Sequence, residues 1–336
     1  MPYLEYPDNQ VVSWDCSDAN VAAVYGDSSI VIWRITDAVK LCEWQMPKVA
    51  MQTPWSFTVP DQPAEMGIIF NGILEIRSIP EGKTRLKAGI DASRLMDWAI
   101  SRDGNKFCFQ DFSGDLYSLA LDQPGLAPHR VDLKRIIADP QQHVMPLRMG
   151  LSFLPNGTDF AIVAAEQVVA QTPQGQTLWT RHAPTGGSWK LKLGAPANQA
   201  VLVLYDAPHD NTYVIAKSDG RILWHGAGEV TDPYAAIDNV GQTLAFFRDG
   251  HLQLSDLSKN RVIDTGLGGQ PQLRFTPDGS LLLALPALKP RKWQEGDETV
   301  ITRRPTSFLT IIEVKTGRTL RQIDLGRASQ RTEQGK

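Results

Sequence analysis

A short hairpin that recurs along the chain constrains its fold more than any other feature. In the clearest copy, Thr212–Trp224, an apolar strand is followed by the polar turn Ser218-Asp219-Gly220 and by a second strand that ends in tryptophan. Repeated use of one hairpin is typical of a repeat architecture. The other copies, strong and weak, are Val168–Trp179, Thr310–Leu320, Ile30–Leu41 and Leu252–Ile263.

The turn that precedes each hairpin sets the repeat length. Apolar strands end at a recurring turn position, as in Leu273–Leu281, where Phe275 leads into Thr276-Pro277-Asp278-Gly279. The spacing is roughly 40–45 residues with about four short strands per unit, which is the pattern of β-propeller blades. The anchor residues of these turns are Ser17, Thr58, Ser101, Leu154, Gly194, Asp238 and Thr276.

We therefore predict an all-β chain that forms a single seven-bladed β-propeller of four-stranded antiparallel blades. Residues 1–10 are expected to add a latch strand to blade seven through Tyr3–Tyr6, and residues 327–336 to form a disordered tail. In blade five the strands are predicted at Trp189–Leu193, Ala200–Leu204, Thr212–Ala216 and Arg221–His225. The blades are predicted at about residues 11–46, 52–89, 94–137, 144–184, 187–228, 230–268 and 269–326.

The first strand of each unit carries a large residue three positions before its anchor. Trp14, Trp55 and Trp98 occupy this position in the first three units. Such residues are expected to pack between neighbouring blades rather than form a stacking platform, because blades bury their faces only against each other. The long interval between blades three and four is assigned to an Asp122–Pro146 connection, with a short strand or helical turn within Arg130–Ala138.

Composition excludes several classes of partner. The net charge of −3 gives no basic footprint for nucleic acid, and no apolar run approaches the length of a membrane span. The first residues show no signal peptide, which predicts the cytoplasm, or the periplasm if a leader was removed. Cys16, Cys42 and Cys108 are expected to be buried thiols in a reducing compartment, with one disulfide plus a free thiol as the alternative.

The repeats resemble the bacterial β-propeller superfamily that includes WD-repeat and quinoprotein-like (PQQ-like) blades. Ser218–Trp224, Pro173–Trp179, Lys315–Leu320 and Thr276–Leu281 carry the resemblance, which covers about residues 11–326. The chain departs from both families. Trp33 is followed by arginine instead of the aspartate of WD repeats, and no adjacent cysteine pair of the quinoprotein type occurs. These departures argue against catalysis with the quinone cofactor, so the resemblance implies a non-catalytic member. It indicates the fold far more than the function, because this fold hosts enzymes as well as inert scaffolds.

No residue pattern predicts catalysis, a cofactor or a metal. None of the six histidines is paired at metal-ligand spacing, no CxxC occurs, and no serine lies in a GxSxG elbow. Asp206-Ala207-Pro208-His209-Asp210 groups two carboxylates and an imidazole, but an exposed polar loop is the favoured interpretation over a divalent-cation site.

The segment Pro286–Pro305 is the strongest functional candidate because it interrupts blade seven between its second and third strands. These loops share one face with the blade-to-blade connections, and loops there escape the packing constraint. A tryptophan flanked by basic residues resembles an interaction hot spot. A tolerated, solvated insertion is the alternative. The residues predicted to bind a partner are Lys289, Arg291, Lys292, Trp293, Arg303 and Arg304, with His209 and Asp210 from a loop expected to share the face.

The predicted function is a non-catalytic protein-interaction scaffold or assembly subunit of a larger complex, with transient peptide binding as a variant. The alternative is an enzyme or small-ligand or anion binder that uses the mouth of the central channel. Lys190 and Lys192 share one face of an innermost strand, and under this alternative they line the channel. Under the other interpretation these lysines and Arg274 form ion pairs with Asp15 and Asp97 that help to close the ring.

Overall fold

The computed structural model describes most of the chain between Val11 and Leu325. Within that span it leaves out residues 48–54, 59–63, 71, 91–94, 102–103, 112–114, 124–127, 132–149, 155–158, 165, 173, 175, 192–199, 228–234, 239, 249, 260, 270, 287–289, 296–297 and 304–307. The latch predicted for residues 1–10 and the tail predicted for residues 327–336 lie outside the described residues.

Each of the seven blades is one four-stranded antiparallel sheet, which confirms the predicted fold class. Blade one contains β1 (Val11–Cys16), β2 (Asn20–Tyr25), β3 (Ser29–Arg34) and β4 (Lys40–Gln45). Blade two contains β5 (Trp55–Thr58), β6 (Glu65–Phe70), β7 (Ile73–Ser78) and β8 (Thr84–Gly89). Blade three contains β9 (Leu95–Ile100), β10 (Lys106–Asp111), β11 (Leu116–Ala120) and β12 (His129–Val131). Blade four contains β13 (Gly150–Phe153), β14 (Phe160–Ala164), β15 (Gln167–Gln171) and β16 (Thr177–His182).

The remaining blades follow the same order of strands a, b, c and d. Blade five contains β17 (Trp189–Leu191), β18 (Val201–Asp206), β19 (Asn211–Ala216) and β20 (Ile222–Ala227). Blade six contains β21 (Ala236–Ile237), β22 (Thr243–Arg248), β23 (His251–Asp256) and β24 (Arg261–Gly268). Blade seven contains β25 (Pro271–Phe275), β26 (Leu281–Pro286), β29 (Phe308–Glu313) and β30 (Thr319–Asp324), with the hairpin β27 (Pro290–Glu295) and β28 (Glu298–Arg303) inserted between β26 and β29.

The strand order gives the ring two faces. The a–b and c–d turns lie at one end of every sheet, called here the lower face, and the b–c and d–a connections lie at the other, called the upper face. The a strands of neighbouring blades approach each other, as β9 and β13 do between blades three and four, so strand a is innermost. The ring closes where β1 meets β25.

Apolar clusters fill the interfaces between blades. One cluster joins blades one and seven through Trp14, Tyr25 and Leu283, and another joins blades four and five through Val168, Trp189 and Leu204. Trp98 packs in the cluster between blades two and three, stacked on Phe107. For Trp14 and Trp98 this confirms the packing role predicted for strand a, since each blade buries its faces against its neighbours.

The predicted anchors close the a–b turns in the blades where both ends of the turn are described. The backbone N–H of Ser101 donates to the carbonyl of Lys106, and its Oγ accepts the Lys106 N–H at 2.8 Å. The Asp238 carboxylate accepts the Gln242 N–H in the same manner. Short polar side chains recur at this position because they satisfy turn N–H groups that no strand pairs. The further anchors whose N–H closes a turn are Ser17, Leu154 and Thr276.

The repeated glycine and tryptophan of the hairpin belong to one packing contact between successive blades. Gly220 closes the c–d turn of blade five with φ of 71° and donates its N–H to the carbonyl of Ala216. The ring of Trp179, on strand d of blade four, lies so close that a Cβ at Gly220 meets it at 2.7 Å. Gly82 of blade two meets Trp44 of blade one in the same way. Packing between successive blades therefore requires both the glycine of the c–d turn and the tryptophan of strand d in the preceding blade.

Strand β12 corrects the prediction of one long Asp122–Pro146 connection. His129–Val131 pairs with β11 as strand d of blade three, so the connection between β11 and β12 is a c–d connection at the lower face. The expectation that this whole segment shares the upper face is wrong for that part. A short strand was one of the two predictions for Arg130–Ala138, and β12 overlaps the start of that range; its role as strand d was not predicted because His-Arg-Val offers only one apolar residue in three positions.

Candidate interaction face

The hairpin β27–β28 is the longest departure from the repeat on the upper face. Strand β26 ends at Pro286 and pairs directly with β29, which begins at Phe308. The hairpin therefore forms a separate two-stranded sheet between strands b and c of blade seven. Elsewhere the same connection is short, as between Tyr25 and Ser29 or between Phe70 and Ile73. This confirms the predicted place of the insertion.

The register of the hairpin fixes which positions lie opposite each other. Trp293 pairs with Val300, Arg291 with Thr302, and Glu295 with Glu298. Because successive strand positions alternate between two faces, positions 291 and 293 fall on one face and position 292 on the other. The predicted basic–aromatic cluster is thus divided between two faces of the ribbon. Arg303 lies at the end of β28, and Lys289 and Arg304 lie outside the described residues.

The b–c connection of blade five is built on a buried aspartate. Asp206, at the end of β18, is fully buried, and its Oδ1 accepts the N–H of Ser188 at 3.0 Å. Its Oδ2 lies 2.7 Å from Nδ1 of His209, which is partly exposed. Asp206 thus ties the d–a connection that enters blade five to the b–c loop. A carboxylate that receives two donors is stable in a buried position.

Local backbone geometry brings this loop into place. Ala207–His209 form one 3₁₀ turn with proline in its first residues, and Asp210 ends it in the left-handed region, with φ of 49°. Its carboxylate accepts the hydroxyl of Tyr205 at 2.9 Å. Gly187 is required beside Asp206, because a Cβ there meets the carboxylate at 2.8 Å. His209 and Asp210 are therefore presented on the upper face by a rigid support.

The divalent-cation interpretation of this loop finds no further ligands. Within the described residues, no group of three or more histidine, cysteine, aspartate or glutamate side chains has metal-site geometry. Asp206, the buried member of the cluster, already accepts from Ser188 and lies against His209. The arrangement orients an imidazole toward solvent, as a histidine held by a carboxylate does.

The channel residues are only partly described. Arg274 donates to the carbonyl of Leu273 in its own strand at 2.9 Å. Lys190 and Asp97 lie in β17 and β9, and Lys192 lies outside the described residues. Binding of an anion at the channel mouth stays a prediction.

The three cysteines are free thiols in the structure. Burial raises the pKa of Cys108 to about 12 and that of Cys42 to about 11, and it raises the pKa of Cys16 as well. A thiol with a raised pKa carries little thiolate, which is the reactive form. Cys16 and Cys108 are buried, as predicted, whereas Cys42 is only partly buried.

Sequence reasoning missed one residue that breaks the repeat, Lys217. It lies at the first position after strand c, where other blades place aliphatic residues such as Ile35 and Leu121. The signal was present in the sequence, since aligning the c–d turns gives lysine against Ile35, Ile79, Leu121, Leu257 and Val314. It was missed because the alignment was anchored on the a–b turns.

Comparison with known proteins supports the fold alone. No protein-family description matches the chain, and no curated protein matches it. Among solved structures it is similar to the β-propeller domain of Cps50 (Swd1) from Myceliophteria thermophila, with a TM-score of 0.60. The two share 9% identity over 82% of this chain and 93% of that domain. The chain is a seven-bladed β-propeller. Within the described residues, no helix is long and apolar enough to cross a membrane.

Proposed function

We propose that this propeller is a non-catalytic interaction scaffold that binds a protein partner through its upper face. The observation that carries the proposal is the hairpin β27–β28, which is inserted in one b–c connection as a separate two-stranded sheet while β26 pairs directly with β29. A scaffold positions loops for binding because loops are free of the core packing that fixes the blades. The similar solved structure is itself a β-propeller domain, which supports the fold of the proposed scaffold.

The composition of the hairpin favours a partner whose surface carries both acidic and basic groups. Arg291 and Lys292 make its first strand basic, and Lys289 precedes that strand in the sequence. Glu295 and Glu298 are acidic residues at the facing ends of the two strands, with Asp297 between them in the sequence. Trp293 lies between the basic and the acidic residues of the first strand, and tryptophan and arginine are enriched among residues that dominate binding energy. Separated charges of this kind fix the orientation of a partner more than they add affinity.

The loop of blade five supplies a second contact on the same face. His209 and Asp210 are held by Asp206 and Tyr205, so they lose little conformational entropy on binding. Two rigid contacts on separate blades suit a folded partner better than a short peptide.

The experiment compares three forms of the full chain as bait in lysate of the native host. The first is the wild type, and the second carries Arg291→Ala with Trp293→Ala. The third, a matched control, carries Lys315→Ala with Arg318→Ala in the exposed c–d turn of the same blade on the lower face. We expect the wild type and the control to retain a common partner and the hairpin variant to lose it, with all three unfolding at similar temperatures.

Retention of that partner by the hairpin variant overturns the role of the hairpin. A partner lost equally by the control overturns the assignment to the upper face. A further variant, Lys292→Ala with Arg303→Ala, tests the other basic positions, and the pair of variants shows which of them the partner uses.

A further inference from the structure

Lys217 makes the most regular backbone contact of the ring with an unusual side chain. In blades one, two, three, five, six and seven, the residue after strand c donates its N–H to the residue that precedes strand b. In blade five this bond joins Lys217 to the carbonyl of Ala200 at 2.8 Å. The residues at this position in the other five blades are aliphatic: Ile35, Ile79, Leu121, Leu257 and Val314. Blade five alone among them places an ionisable side chain there.

The amine of Lys217 is buried without compensation. The side chain is 0% exposed, and Nζ has no hydrogen-bond partner in the part of the chain that the structure describes. Lysine is almost never fully buried unless it is paired, because its charged form loses hydration. Burial lowers the pKa of the Lys217 amine to about 7 from its ordinary 10.5.

The side chain lies at the interface between blades four and five. Ile215, two positions earlier on β19, belongs to the apolar cluster of that interface. Trp179 of blade four covers the same turn, with its Nε1–H donating to the carbonyl of Lys217 at 3.1 Å and its ring against Gly220. An opening of the lower end of this interface therefore exposes the amine.

The described groups around the amine do not offset its charge. Trp179 on β16 is neutral, and the a–b connection contributes the carbonyl of Ala200, which is already bonded to the Lys217 N–H. Asp219 and Arg221, in the same turn, are largely exposed and lie close to each other. Burial is the one cause that lowers the pKa of Lys217. Lys192, from the a–b connection, lies outside the described residues.

We propose that Lys217 makes the lower end of the interface between blades four and five the place where the ring opens, and that proton uptake by its amine promotes this opening as the pH falls. In the closed ring the amine is held away from water. In the open form it is solvated and binds a proton at any pH below its ordinary range.

The direction of the pH dependence follows from linkage. Between pH 10 and pH 7 the open form binds more protons than the closed form, so opening is favoured as the pH falls. Below pH 7 both forms carry the proton, and the effect levels off. From pKa values of about 7 and 10.5, the opening constant rises about fiftyfold between pH 9 and pH 7.

The test compares wild type with Lys217→Met, which keeps the length of the side chain and removes the amine. Lys315→Met is the matched control, because Lys315 lies in the equivalent turn of blade seven and is exposed. Amide hydrogen exchange of the segment 213–222 is measured by mass spectrometry at pH 7, 8 and 9, and each rate is divided by the intrinsic exchange rate at that pH.

We expect the wild type to open more than Lys217→Met at pH 7, with the ratio of their opening constants falling about fiftyfold by pH 9. Lys315→Met should follow the wild type at every pH. A ratio that does not change with pH overturns the proposal. Faster exchange in Lys217→Met at pH 7, or failure of that variant and of Lys217→Leu to fold, also overturns it, because the amine then has a stabilising partner.

Discussion

The interface that closes the ring and the interface between blades four and five use the same architecture but differ in how they treat polar groups. Where blade seven meets blade one, Trp14 Nε1–H donates to Oε1 of Gln272 at 2.8 Å, and the hydroxyl of Tyr25 donates to the carbonyl of Leu325 at 2.6 Å. Between blades four and five, Trp189 Nε1 and Lys217 Nζ are buried without a hydrogen-bond partner in the described chain.

This difference shows how the ring is held closed. The described strands of blade one come from the N-terminal part of the chain and those of blade seven from the C-terminal part, so no described strand crosses the closing interface. Side-chain bonds and an apolar cluster join the two blades there. Blades four and five are joined covalently by the chain itself, so their interface tolerates buried polar groups that are not satisfied.

The largest effect is expected from the glycine that Trp179 covers. Gly220→Ala forces a Cβ into the Trp179 ring at 2.7 Å and places alanine at φ of 71°, so it should destabilise the protein by about 2–4 kcal/mol. Gly250→Ala is the control, because its φ is also positive but nothing lies within 4 Å of the added Cβ. It should cost about 1 kcal/mol. Urea unfolding measures both, and equal costs would show that the contact with Trp179 is unimportant.

An intermediate effect is expected from replacing Trp14 in the closing interface and Trp189 in the interface between blades four and five, and the two costs should differ. Trp14→Phe removes the donor to Gln272 and should cost about 1 kcal/mol, because a partly buried acceptor loses its partner. Trp189→Phe removes an N–H donor that has no partner in the described chain. Removal of this unsatisfied donor offsets the lost ring volume, so the cost in unfolding free energy should be smaller. Thermal unfolding of the two variants at pH 9 checks the order. A larger cost at Trp189 contradicts the comparison.

The smallest effect is expected on the stability in acid of the interface that closes the ring. Burial raises the pKa of Asp278, but hydrogen bonds from Thr276 and Ser280 outweigh it and hold the pKa below 3.8. Its backbone N–H also donates to the carboxylate of Asp18 in blade one at 2.7 Å. A lowered pKa in the folded state stabilises the protein above pH 4, and this contribution is lost as the pH falls through the folded pKa.

Asp278→Asn should therefore weaken the fold slightly at pH 6 and reduce its further loss of stability between pH 4 and pH 2. Unfolding midpoints at pH 6, 4 and 2 measure both. An unchanged acid slope would mean that Asp278 contributes nothing to the pH dependence.

Much of the fold could be predicted from the sequence, because the repeat is most regular at the positions that pack between blades. Gly220 and Trp224 recur because one closes a turn and the other packs on the next blade, so the pattern predicted the blades directly. The strands of blade five were predicted within a few residues of Val201–Asp206 and Asn211–Ala216. Strand β12 was predicted only as a short strand or helical turn within a connection, because its pairing with β11, rather than its apolar content, makes it strand d of blade three.

The candidate face was less predictable. The break in the repeat located the insertion, but the pairing of Arg291 with Thr302 and of Trp293 with Val300 depends on a register that sequence spacing alone does not give. The support of His209 by Asp206 joins a loop to a connection from the preceding blade, a contact that no local pattern contains. The partner-binding roles of these residues stay predictions.

Native-state hydrogen exchange at pH 7 tests the difference between the two interfaces most directly. The N–H groups of Lys217 and Ile35 make equivalent bonds of 2.8 Å, to Ala200 in blade five and to Ala19 in blade one. After correction for intrinsic rates, we expect the Lys217 amide to exchange at least about tenfold faster, because the interface beside blade four opens more readily. Faster or equal exchange at Ile35 would place the weak point of the ring at the closing interface and contradict this account.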